Sequence, residues 1–141
     1  MAHAETLDFF GRVEAARAAA KREALAAGES EAVASALAHK AAQSIWNDWA
    51  DRLLAIRENI IRDGDWLLIR EYSYTRVRGG NSRTTEWLHA ASLDFSGCTF
   101  GPAVNFAEFK FPGTVDFGLR RSALSANSTT FEQVANFTKA V

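Results

Sequence analysis

A chain of 141 residues, 48% of them apolar, is long enough to bury a sizeable core and too apolar for a disordered polypeptide. Its formal net charge of −1 excludes a strong whole-protein field, so bulk electrostatics name no partner. The single Cys98 excludes an internal disulfide, and no apolar run approaches the ~20 residues of a membrane span.

The start, Met1-Ala2-His3-Ala4-Glu5, lacks a basic region followed by an apolar one, and the chain reads as cytoplasmic. From Thr6 to Ala27 an alanine-rich segment places Leu7, Phe10, Val13, Ala16, Ala20 and Ala24 three or four apart, the period of one helical stripe. Gly28 stops it. Ser30 is placed to cap a second helix, whose stripe reads Val33, Leu37, Ala41, Ile45, Trp49, Leu53, Ile56 and Ile60 and ends at Asp63-Gly64. Residues 1–64 are therefore expected to form an antiparallel helical hairpin. The first stripe is thin beyond Val13, so this helix needs a close neighbour, either the second helix or another chain. Trp46 and Trp49 read as packing residues; the other reading makes them an aromatic contact for a partner protein.

Residues 65–91 read as a connector. Trp66-Leu67-Leu68-Ile69 is apolar, Arg70 to Arg78 mixes aromatics with cations, and both strand and helix end remain open. Interleaved basic and aromatic residues suit single-stranded nucleic acid, but the patch is small and a solvated connector is the preferred reading. Thr84 to Ala91 reads as a short helix whose Trp87 and Leu88 cover the near end of the segment that begins at residue 92.

From residue 92 the phenylalanines keep a beat. Phe95, Phe100, Phe106, Phe111 and Phe117 recur at steps of five and six, with an apolar residue two before each: Leu93, Cys98, Val104, Phe109 and Val115. Residues i and i−2 of an extended segment share a face, and the one between them faces the other way. Gly or Pro after most pairs supplies a corner. The grammar falters at Arg120-Arg121 and returns at Phe131 and Phe137. The two arginines read as a solvated bulge, or as a contact to an anionic ligand or partner.

This pattern resembles the pentapeptide-repeat proteins, bacterial members of which carry a helical extension before the repeats. The resemblance covers residues 92–141 and implies an α+β chain: the hairpin, then a short right-handed quadrilateral β-helix. It further implies a structural core of Leu93, Phe95, Cys98, Phe100, Val104, Phe106, Phe109, Phe111, Val115, Phe117, Phe131 and Phe137. Because the chain stops at Ala140-Val141 as another step begins, the reading expects a dimer or a longer native chain.

No nucleophile elbow, phosphate loop or metal-ligand spacing is present, so neither catalysis nor a metal or cofactor is expected. The expected role is a non-catalytic scaffold or protein-interaction module, with a protein partner that includes a second copy of the chain. The alternative is a DNA mimic that modulates a topoisomerase such as gyrase, as some members of the resembled family do. Mimicry requires dense negative charge. Asp94, Glu108, Asp116 and Glu132 are instead balanced by Lys110, Arg120, Arg121 and Lys139.

Overall fold

A computed structural model describes residues 1–64, 68–71, 74–77, 82–100, 104–117, 130–131 and 135–136. Two long helices dominate it, α1 (His3–Ala26) and α2 (Glu31–Arg62). The turn between them is closed by local chemistry. Gly28 adopts φ +86°, its N–H donates to Leu25 O at 3.1 Å, and Glu29 N–H donates to Ala24 O at 3.0 Å. This six-to-one, five-to-two pairing satisfies the last carbonyls of α1. Two residues on, Ser30 Oγ accepts from Val33 N–H at 3.2 Å and caps α2. The helices run antiparallel: Lys21 pairs with Glu31 at 2.6 Å near the turn, and Phe9 lies 5.2 Å from Trp46 further out.

The buried side of α2 is displaced by about one residue from the stripe read in the sequence. Ala34, Ala38, Ala42, Trp46, Ala50, Leu53 and Ile60 are buried; Ala42 and Trp46 pack with Phe9 and Val13 of α1, whereas Leu53 and Ile60 pack further along, away from that cluster. Val33, Leu37, Ile45 and Ile56 lie outside, 43, 45, 39 and 49% exposed. Small alanine side chains let two helix backbones approach closely, and that contact outweighs the greater hydrophobicity of the neighbouring row.

The connector contains an antiparallel hairpin, β1 (Leu68–Glu71) with β2 (Tyr74–Val77), in which Leu68 faces Val77 and Glu71 faces Tyr74. Helix α3 (Ser82–Ala91) follows and docks on α2. Its Trp87 packs with Leu53 and Ile60 and donates from Nε1 to Leu53 O at 2.6 Å. The expectation that Trp87 and Leu88 cover a coil end is thus corrected, because both pack in the cluster that α3 shares with α2.

The remaining strands are dipeptides: β3 (Leu93–Asp94), β4 (Thr99–Phe100), β5 (Val104–Asn105), β6 (Val115–Asp116), β7 (Thr130–Phe131) and β8 (Ala135–Asn136). They pair in parallel as β3–β6, β4–β7 and β5–β8, each a two-stranded ladder. The quadrilateral β-helix expected over 92–141 is overturned. The described residues are mainly helical, with helices of 24, 32 and 10 residues, and the parallel pairing among them amounts to neither a closed nor a solenoid β-helix. The physical reason lies in the partner surface. Leu93, Phe95, Phe100, Phe106 and Phe109 form one buried cluster with Phe9, Val13, Ala42 and Trp46, so the aromatic ladder is covered by the helical hairpin.

Candidate functional site

Among the described residues, the most specific chemistry is where the hairpin grips the phenylalanine segment. Two matched turns shape that segment. Cys98 N–H donates to Phe95 O and Phe109 N–H to Phe106 O, both at 3.1 Å. Gly97 and Glu108 occupy equivalent positions with φ of 71° and 61°. Asp94 Oδ1 accepts from Ser96 N–H at 2.9 Å, and Asn105 Oδ1 accepts from Ala107 N–H at 3.0 Å, so the polar residue before each phenylalanine closes its own turn. The Ser96 hydroxyl, which donates to Asp94 Oδ1 at 2.5 Å, then the Ser96 N–H and the nearby His3 hold the Asp94 carboxyl below the usual carboxylate range.

Helix α2 meets the second turn with side chains that bond its main chain. Asn47 Oδ1 accepts from Lys110 N–H at 2.9 Å while its Nδ2 donates to Glu108 O at 3.2 Å, a two-point contact of the kind a neighbouring strand makes. Trp46 Nε1 donates to Lys110 O at 2.7 Å, and Lys110 Nζ reaches Asp51 Oδ1 at 2.7 Å. About two helical turns toward the N-terminus of α2, His39 Nε2 lies 2.9 Å from Ala107 O. Its Nδ1 lies 2.9 Å from Arg17 Nη1, and Arg17 Nη2 donates to Asn105 O at 3.0 Å. At the start of α1, the buried Thr6 hydroxyl donates to Ala2 O and accepts from Asp94 N–H, both at 3.0 Å.

Trp46 is the hub. Its ring is fully buried, 5.0 Å from Phe109, 5.5 Å from Phe111 and 5.9 Å from Phe106. That burial leaves no surface for the partner contact considered in the sequence. Trp49 is half-buried and packs on Phe9 at 4.8 Å. Of the core residues named from the resemblance, Leu93, Phe95, Phe100, Phe106 and Phe109 are buried, and Cys98, Phe111, Val115 and Phe117 are half-buried against them. Burial, and next the Asp94 charge, push the Cys98 thiol up, which disfavours a thiolate nucleophile. The side chains of Val104 and Phe131, and all of Phe137, Arg120 and Arg121, lie outside the described residues.

Comparison with protein-family models, with curated proteins and with solved structures finds no match, so the functional reading rests on these residues. Among the described residues no group of three His, Cys, Asp or Glu side chains is arranged to hold a metal. No described helix is long and apolar enough to cross a membrane. The grip itself was hidden from sequence reasoning, which singled out none of its polar side chains. One signal was present: His39 precedes Trp46 by seven residues, a spacing that puts both on one helical face.

Outside the grip, the surface of α2 carries the exposed row Val33, Leu37, Ile45 and Ile56. Asp48 and Arg52 stand between Ile45 and Ile56, both exposed. A shallow groove between α2 and α3, lined by Leu53, Ile56, Ile60, Trp87 and Ala90, continues it.

Proposed function

We propose that this protein is a non-catalytic scaffold that binds another protein through the outer row of α2, a second copy of the chain being the simplest partner. The observation that carries this reading is the exposure of four large aliphatic side chains on a helix whose inward face is already filled by alanines, Trp46, Leu53 and Ile60. Those four side chains are surplus to the internal packing, and an apolar surface of this kind gains free energy when another surface covers it. Self-pairing has support from charge. If a second α2 ran antiparallel about a two-fold axis between Asp48 and Arg52, each copy's Asp48 would stand opposite the other's Arg52. The DNA-mimic alternative is less favoured, since Lys110 sits on Asp51 and Asp94 lies 3.8 Å from His3 in place of a dense acidic face.

Light scattering at micromolar concentration tests the reading. The parent is expected to run as a dimer, and Ile45→Glu as a monomer with an unchanged far-ultraviolet circular dichroism spectrum. A parent that is monomeric across the accessible concentration range would overturn self-association through this row.

A further inference from the structure

We propose that His39 is an acid-sensitive latch that joins the hairpin to the phenylalanine segment. The Arg17 guanidinium has only N–H donors and keeps its charge throughout the physiological range, so at 2.9 Å from Nη1 the Nδ1 atom of His39 must be the acceptor. The Ala107 carbonyl has only lone pairs, so Nε2 must carry the ring proton and donate to it at 2.9 Å. The two neighbours therefore dictate one neutral tautomer. A second proton has to enter at Nδ1, where it would set N–H against N–H and imidazolium against guanidinium.

The ring has no easy escape. It stacks on Phe109, with centroids 5.5 Å apart and planes 13° from parallel, so turning away from Arg17 also breaks that contact. Moving Arg17 instead releases Asn105 O, which Nη2 holds at 3.0 Å. Either response loosens the carbonyls of the second turn. Among the described residues, the charges that face this place are few. On α1, Glu14 already binds Arg17 Nε at 3.2 Å and is directed at the far side of the guanidinium from Nη1. On α2 there is Lys40 and on the turn Glu108; both line the same hollow as His39 and carry opposite signs.

Thermal unfolding followed by circular dichroism tests the latch in the whole chain. His39→Gln keeps a donor and an acceptor in the amide and removes the titration. Between about pH 7.5 and 5.5, the span over which imidazoles change charge, the midpoint of the parent should fall further than that of His39→Gln, by about 3 °C or more. Equal falls would overturn the latch. If His39→Gln does not fold, nitrogen-15 spectra of the imidazoles in the parent decide. The latch requires Nδ1 of His39 bare and Nε2 protonated at the higher pH, with the amide signals of residues 105–109 moving as the ring takes up its proton. A proton on Nδ1 at the higher pH, or amide signals that stay still through the titration, would equally overturn it.

Discussion

Truncating Trp46 removes the hub that ties α2 to the phenylalanine segment. The indole is fully buried, and a side chain of this kind covers about 200 Å² of surface. At about 25 cal/mol per Å² its transfer contributes about 5 kcal/mol, close to the ~3–5 kcal/mol typical of Trp→Ala changes in cores. Loss of the 2.7 Å bond to Lys110 O adds about 1 kcal/mol. Set against a domain stability of about 5–15 kcal/mol, Trp46→Ala should lose a large part of the folding free energy and unfold at a much lower urea concentration. Trp46→Phe keeps most aromatic contacts with Phe9, Phe106, Phe109 and Phe111 and forfeits the N–H, so it should lose only about 1–2 kcal/mol. Urea unfolding followed by far-ultraviolet circular dichroism separates the two without depending on the tryptophan signal. A Trp46→Ala midpoint within experimental error of the parent would refute the reasoning, because no well-packed core tolerates a void of that size unchanged.

Backbone conformation supplies two further expectations. Gly97→Ala should destabilise by about 1 kcal/mol because a Cβ is disfavoured at its φ of 71°, whereas Glu108→Gly relieves the same constraint at 61° and should be neutral or mildly stabilising. Gly113→Ala should lower stability by about 1–3 kcal/mol, since a Cβ there would stand 2.7 Å from the Ala91 carbonyl oxygen at the end of α3. Acid titration of unfolding tests Asp94: its carboxyl is held below the unfolded value, so its contribution is present at neutral pH and lost as pH falls through the folded value. Asp94→Ala should flatten that acid limb, most visibly at low salt because the group is only partly shielded. Cys98, with its thiol pushed up by burial, should react with a thiol reagent slowly in the native protein and faster in denaturant.

The helix ends were legible because capping is local chemistry: Gly28 and Ser30 act within four residues of their own positions. The face of α2 was less so. Val33, Leu37 and Ile45 are more hydrophobic than Ala34, Ala38 and Ala42, and periodicity weighs hydrophobicity, whereas helix contact also rewards small size. In the phenylalanine segment the period-two pattern marked an inward face, and Phe95, Phe100 and Phe106 are buried there. It carried no information about what would cover that face. A coil of further strands and a pair of helices both satisfy an apolar stripe, and long-range contacts such as Asn47 to Lys110, 63 positions apart, leave no local trace. Asp94 and Asn105 were read as outward polar residues, which missed their bonds to the main chain two residues on.

Hydrogen exchange at the Lys110 amide tests most directly whether the helical hairpin, in place of a neighbouring strand, holds the phenylalanine segment. That N–H donates to the Asn47 side chain, whereas the amides of Leu93 and Phe95 donate to Thr114 O and Asp116 O within the β3–β6 ladder. The account predicts that Lys110 is protected in the parent and that Asn47→Ala speeds its exchange about fivefold or more, while Leu93 and Phe95 keep their rates. A Lys110 amide that exchanges freely in the parent, or that stays equally protected in Asn47→Ala, would contradict it.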